Sequence, residues 1–190
     1  LAHLDDSVGK VLAELRESGV EENTLVVFLG DNGGPTEELT SSNAPLRGGK
    51  GDLWDGGIRV PFIVSWKNHI TAGRIVDAPV VSMDATATAL EVADAGPGQK
   101  RLDGINLMPL LTGKMAEVPE RTLFWRVGQK NAMRSGNWKF IRDGKEWQLY
   151  DLAHDIGETT NLAAKEPARV QQLSSLWDKW NAEQIEPLWR

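Results

Sequence analysis

The chain has no cysteine. This excludes disulfides, thiolate-ligated zinc and a thiol nucleophile, and it is compatible with any compartment. No window approaches the ~18 consecutive apolar residues of a membrane span, and the first residues lack the order of a signal peptide. There is no Asn-x-Ser/Thr acceptor for glycosylation. Basic residues are not in excess: 21 Lys and Arg stand against 27 Asp and Glu, a net charge of −6. The charges are dispersed, so a nucleic-acid partner is disfavoured. A length of 190 residues accommodates one large domain or two small ones. The chain opens on Leu1 within a helical pattern, so a natural start is expected upstream.

What is present centres on residues 25–61. The apolar run Leu25 to Leu29 stops at Gly30-Asp31-Asn32-Gly33-Gly34, the pattern by which a buried strand delivers a carboxylate and a carboxamide to its carboxyl end. That edge is where open α/β sheets bind ligands. The same run also fits a tight turn, since Asn and Gly tolerate positive φ. Arg47-Gly48-Gly49-Lys50-Gly51 then places cations on a backbone with few side chains, where an anion can reach peptide N–H groups while a lysine neutralises it. A Walker-type phosphate loop is disfavoured, because it needs Gly at Ala44 and Ser or Thr at Gly51. One loop is thus a candidate for a metal and the next for an anion.

Around this centre the periodicities are ordinary. Leu4, Val8, Val11, Leu12 and Leu15 predict an amphipathic helix covering a sheet and ending at Gly19, with His3 a plain helix residue. Residues 35–46 read as surface loop. Phe62 to Trp66 is a second apolar strand behind Pro61, and His69 falls in an exposed loop. A helix follows from Ser82, with Ser82 as N-cap, Gly96 as C-cap and Asp84 near the helix dipole. Residues 96–120 read as a connection with a helical turn at its LMPLL run. Thr122 to Val127, Ala132 to Ile141 and Trp147 to Leu152 then form an antiparallel meander, with a hairpin at Asp143-Gly144-Lys145. Pro167 suits a first helical turn, and Val170, Leu173, Trp177 and Trp180 give that last helix one apolar stripe. The eight Trp residues are read as packing groups. The fold class is α/β: part of a mixed, mostly parallel sheet covered by helices in residues 1–115, followed in 116–190 by a small antiparallel sheet with a packed helix.

In order and spacing, the two central runs resemble the sulfatase family of the alkaline phosphatase superfamily. Its members carry D-N-G-G and then P-L-R-G-G-K-G-x-x-W-[ED]-G-G-x-R-V-P, here Asp31 to Gly34 and Pro45 to Pro61. The likeness continues through Trp138-Lys139-Phe140-Ile141 and Leu149-Tyr150-Asp151-Leu152, with Asp155, Glu158, Asn161, Leu162 and Ala163, and it includes the opening Leu4 to Gly9. Departures are Asp55 where Glu is frequent and Ile156 where Pro often follows the aspartate. The family's formylglycine nucleophile, made from Cys or Ser in C/S-x-P-x-R, has no counterpart here. Its amino-terminal aspartate pair is also absent, and His3, His69 and His154 lie in no matching motif. The resemblance therefore implies the carboxyl-terminal part of a sulfatase.

By that resemblance Asp31 and Asn32 are metal ligands, for a divalent cation taken as calcium, and Lys50 is the catalytic and substrate-binding contact to sulfate. Arg47 and Arg59 are read as structural. Calcium wants roughly six to eight oxygens, of which these two residues supply two or three, so the site needs ligands from elsewhere. The formylglycine is expected upstream, in a missing amino-terminal half or an oligomer partner that would also cover the sheet. The implied substrate is a sulfated small molecule or glycan, the implied location periplasmic, secreted or lysosomal, and the 190 residues alone are expected to be inactive. The rivals are a phosphodiesterase or phosphonate hydrolase of the same superfamily, and a non-catalytic module that binds a carbohydrate or a partner.

Overall fold

The computed structural model describes residues 1–36, 41–96 and 102–186. Residues 37–40 of the loop read at 35–46, and 97–101 of the connection read at 96–120, lie outside them. The chain forms two compact units, neither continuous in sequence: Leu1–Leu29 with Pro61–Pro119, and Gly30–Val60 with Glu120–Arg190. Contacts group residues 30–60 with the carboxyl-terminal sheet.

In the first unit, α1 (Ala2–Glu17) ends where Gly19, at φ +71°, donates its amide to the Arg16 carbonyl at 3.0 Å. That left-handed position is why the helix stops at a glycine. A 3₁₀ turn, Glu21–Asn23, leads into β1 (Val26–Leu29), which pairs antiparallel with β2 (Phe62–Ser65), Leu29 opposite Phe62. Within the mixed sheet expected there, this pair runs antiparallel because residues 30–61 return the chain without a crossover on the strands. The expected burial is not met inside this chain. α1 buries no residue, and Leu4, Val11 and Ile63 are 52%, 60% and 58% exposed.

Packing in this unit gathers around α3 (Ser82–Val92) and α4 (Met108–Leu111); α2 (Asp55–Ile58) belongs to the second unit. The N-cap of α3 is Val81 rather than Ser82, and the helix ends at Ala93, before Gly96. The cap is built by Asp84: its Oδ2 accepts the Val81 amide and its Oδ1 the Ile105 amide, each at 2.9 Å. One fully buried carboxylate thus closes the helix start and holds the following connection. Thr88 Oγ1 accepts the Leu107 amide at 2.9 Å, which seats Leu107 and Leu110 in the interior.

The second unit is a four-stranded antiparallel meander, β3 (Thr122–Val127), β4 (Lys130–Ser135), β5 (Trp138–Arg142) and β6 (Gln148–Asp151), in that spatial order. Four strands replace the three read from the sequence. The run Ala132 to Ile141 is broken by a turn at Gly136, whose φ of +57° a strand residue does not adopt. Alternation gives the sheet two buried faces. Met133, Phe140 and Leu149 pack against Leu173 and Trp177 of α5 (Pro167–Ala182), as its apolar stripe predicts. Ala132, Ile141 and Tyr150 on the other face pack against Leu53 and Trp54, just ahead of the short α2 (Asp55–Ile58).

That second face also carries a buried charge cluster. Lys139 is fully buried, with Nζ 2.7 Å from Asp55 Oδ1 and 3.3 Å from Glu158 Oε1. Glu158 Oε2 in turn accepts the Asp55 amide at 2.8 Å. Glu158 reaches this position from the left-handed region, φ +51°, within a turn held by Asp155, whose carboxylate accepts the Thr159 and Thr160 amides. Those amides, Thr160 first, hold the Asp155 carboxyl below its ordinary value. Burial pushes the Glu158 carboxyl above its ordinary value, with Lys139 opposing.

Removing one partner of a buried ion pair strands the other charges, at a cost of about 3–5 kcal/mol. Lys139→Met is therefore expected to lower unfolding free energy by about that amount in urea titrations; a loss under about 1 kcal/mol, the scale of an exposed pair, would show that the cluster is effectively solvated. Glu158 also sets a pH dependence. Its folded value lies above the ordinary 4.5, so the folded state binds more protons than the unfolded state above that pH. Stability should fall as pH rises through that raised value. Glu158→Gln should remove this decline, and parallel profiles for the two proteins would assign it elsewhere.

Candidate functional site

The candidate residues lie in the non-regular segment 30–60, which is shaped by backbone hydrogen bonds rather than by helix or strand. The Gly33 amide donates to the Gly57 carbonyl at 2.9 Å, the Lys50 amide to the Gly34 carbonyl at 3.2 Å, and the Gly56 amide to the Arg47 carbonyl at 2.7 Å. Three passes of chain are thereby drawn together. The glycines allow it: a Cβ at Gly33 would lie 1.7 Å from the Gly56 carbonyl oxygen, and one at Gly56 2.3 Å from that of Gly48. Both distances are far inside any real contact, so close backbone approach accounts for the Gly-Gly pairs.

Asn43 completes the arrangement. Its Oδ1 accepts the Gly34 amide, and its Nδ2 donates to the Gly34 and Gly48 carbonyls, each at 3.0 Å. One carboxamide therefore fixes the loop after Asn32 against the loop before Lys50. Arg47 anchors the same segment to the sheet. Its guanidinium lies 3.6 Å above the Trp54 ring and donates to the Glu158 carbonyl at 2.9 Å. These contacts to a carbonyl and a ring fit the structural reading of Arg47. Arg59 is exposed.

Lys50 is exposed and lines a cavity of about 330 Å³ with Pro35, Thr36, Gly49, Gly51, Asp52 and Lys130. Lys130 enters from the first position of β4, its Nζ 3.3 Å from Asp52 Oδ1 and 3.5 Å from the Gly51 carbonyl. Asp52 Oδ2 accepts the Gly49 amide at 3.0 Å. Asp52 thus links the glycine loop to the second lysine, and the cavity offers two ammonium groups and the Thr36 hydroxyl to an anion. Sequence reasoning missed Lys130 as a site residue, because a lysine in a predicted turn carries no sign of what it faces.

Asp31 and Asn32 follow β1 after Gly30 and lie outside the lining of the Lys50 cavity. Asp31 is exposed and accepts the Asn32 amide on Oδ1 at 3.0 Å; the Asn32 carboxamide donates to the Gly33 carbonyl at 2.9 Å. Those bonds leave Asp31 Oδ2 and Asn32 Oδ1 to a cation, and both are hard oxygen donors suited to calcium or magnesium. Among the described residues no group of three His, Asp or Glu gathers around a metal position. The pair fits part of a coordination sphere. None of the histidines lines the cavity: His3 lies in α1, His69 stacks on Trp66 at 4.0 Å, and His154 pairs with Asp151 at 2.8 Å.

Comparison with known proteins bears on the family and the fold. Residues 1–95 match the Sulfatase family, and residues 50–185 match the family described as N-sulphoglucosamine sulphohydrolase, C-terminal. The chain is 42% identical over 129 residues to the steryl-sulfatase of Mus musculus, covering 64% of this chain and 21% of that protein. A sulfatase of Formosa agariphila is 30% identical over 197 residues, covering 87% of this chain and 35% of the relative. The crystal structure of Ps i-CgsB in complex with k-i-k-neocarrahexaose superposes with a TM-score of 0.87 at 30% identity, over 97% of this chain and 42% of that one. The chain thus spans between about a fifth and two fifths of the length of these relatives. Two family matches that together run through both compact units, with a superposition over nearly every residue, place this chain in the sulfatase family, as a carboxyl-terminal part of such a protein.

Proposed function

We propose that the protein to which this chain belongs hydrolyses sulfate esters, and that the Lys50 cavity binds the sulfate group. The observation that carries this reading is the pairing of Lys50 with Lys130 over a glycine-walled loop, in a chain of this family. A sulfate ester approaches as an anion, and charge grows on its oxygens as the ester bond breaks. Lys50, set on a backbone that Gly34 and Asn43 hold in place, offers a compact positive charge to one sulfate oxygen with little reorganisation. Lys130, tethered to Asp52, adds a second cation.

Asp31 and Asn32 would hold a divalent cation, calcium or magnesium by the chemistry of the donors and calcium by family expectation, with the remaining ligands and the formylglycine nucleophile supplied by the rest of the protein. When bound, such a cation supplies Lewis acidity and a template for the sulfate oxygens. That remainder is also what would cover the exposed apolar residues of α1 and β2. No helix among the described residues is long and apolar enough to cross a membrane, and a periplasmic, secreted or lysosomal location is the family expectation. The k-i-k-neocarrahexaose named with Ps i-CgsB favours a glycan sulfate ester over a small aryl sulfate.

The test is turnover of an aryl sulfate by the intact parent protein. Lys50→Ala should lower kcat by about 10²- to 10³-fold, the effect of removing one preorganised charge-stabilising group, with the fold retained by circular dichroism. Asp31→Ala should abolish the response to added calcium. Near-normal rates for both would remove these residues from the site, and faster turnover of the matching phosphate ester would reassign the chemistry to phosphoryl transfer. The 190-residue chain alone should show no turnover at any calcium concentration.

A further inference from the structure

The β3–β6 sheet carries a second cationic feature, on the face opposite Lys130. Strand register sets Arg126 opposite Asn131 and Asn131 opposite Arg142, so the three form one cross-strand row. With strands about 4.8 Å apart, the two arginines rise from points about 10 Å from each other. This row stands beyond the Phe124–Met133–Phe140 row on the same face, where the apolar packing against α5 gives way to polar groups. Lys145 of the β5–β6 turn and Asn181 of α5 close the sides. The result is an open groove of about 390 Å³ lined in part by Trp177, within the roughly 300–1,000 Å³ of small-ligand sites.

The groove's chemistry is one-sided. Among the described residues that line it, three are cationic and none is acidic, in a chain whose net charge is −6. Both guanidinium groups are already oriented. Arg126 donates to Asn181 Oδ1 at 2.6 Å and to the Ile185 carbonyl, and Arg142 lies 4.8 Å from the Trp147 ring centre. A planar fork held in place loses less freedom on binding and matches the paired oxygens of a sulfate group. Gln129, Asn131 and Asn181 add carboxamides of the kind that hydrogen-bond sugar hydroxyls.

The β3–β4 turn joins this groove to the Lys50 cavity. Gly128, Gln129 and Asn131 line the groove, while Lys130 between them lines the cavity. We propose that the groove is a second anion subsite, taking another sulfate of a multiply sulfated glycan whose first sulfate lies at Lys50. Its role as a second subsite rests on the reading of the Lys50 cavity given above; its binding of a sulfated sugar does not. The substrate class that follows is a glycan bearing sulfate on more than one residue, passing over the tip of the β3–β4 hairpin.

The experiment titrates the full chain with a sulfated heparin hexasaccharide, its chemically desulfated form, inorganic sulfate, and a single-stranded oligonucleotide of matching charge, following glycine amide shifts by NMR. The sulfated hexasaccharide should move Gly128 and Gly144 as well as Gly49 and Gly51. Arg142→Gln with Lys145→Gln should weaken it about tenfold or more, as loss of charge-assisted hydrogen bonds does, while inorganic sulfate still moves Gly49. Both side chains are partly or fully exposed, and Lys145→Glu offers a second variant that does not disturb the Trp147 stack. Unchanged affinity and unchanged Gly144 shifts in these variants overturn the proposal, as does equally tight binding of the desulfated sugar or the oligonucleotide. If Lys50→Ala leaves inorganic sulfate binding intact while the groove variants weaken the hexasaccharide, the Lys50 reading fails and the groove stands as a sulfated-glycan site in its own right.

Discussion

The buried ammonium of Lys139 is the constraint from which the second unit is built. It stands on a central strand, β5, and holds two carboxylates from segments far apart in sequence: Asp55 at the start of α2 and Glu158 in the turn after β6. A lone buried lysine would be prohibitive, and two buried carboxylates without it more so. Together they commit the chain to one arrangement. The Asp55 amide donates to Glu158, and the Glu158 carbonyl receives Arg47, so the same residue ties down both ends of the stretch that carries Lys50. This explains how a loop with little regular structure presents a defined cavity: its rigidity is borrowed from the sheet beneath it.

Much of this architecture was legible in the sequence, and the parts that were not share a cause. α1, α5, β3 and the strand before Asp31 follow from local periodicity, which records which side of an element is apolar. The fourth strand of the meander was missed because Ser135-Gly136-Asn137 is only a short break in a run of strand formers, and the positive φ of Gly136 is visible only in the folded chain. The Lys139 cluster was invisible for a different reason. Its members are separated by 84 and 103 residues, and a lysine within Trp-Lys-Phe-Ile reads as the solvent-facing member of an alternating strand. Here the alternation is right and the inference fails, because residues 47–58 cover that face of the sheet. Likewise Asn43 read as loop polarity and Lys130 as turn polarity, yet one shapes the site and the other lines it.

Sheet alternation sets how charge is distributed between the two sides. Odd and even positions of β4 serve different purposes: Lys130 faces the cavity with Lys50, while Asn131 belongs to the row between Arg126 and Arg142. A one-residue slip in register would exchange the two sets and bury the wrong charges. Lys139 guards against that slip, since only one register brings its ammonium to Asp55. The clamp that fixes the loop therefore also fixes which cations face which side.

The route of the chain gives this coupling its consequence. Residues 30–60 leave the first unit after β1 and rejoin it before β2, and the ladder pairs Leu29 with Phe62, so both ends of the excursion are fastened by strand pairing. Closing a loop of this length costs conformational entropy that grows only slowly with length, and the tether to β1 and β2 restricts where the segment can travel before its own contacts form. The middle is fastened separately, by Asp55 to Lys139 and by Leu53 and Trp54 against the opposite sheet face. In sequence, Asp31 comes just after the first anchor, and Lys50 comes just before Leu53 and Trp54, which pack on the β3–β6 sheet. Asn43, bridging Gly34 and Gly48, joins the backbone bonds Gly33–Gly57 and Lys50–Gly34 in fixing the spacing of the candidate residues within the segment.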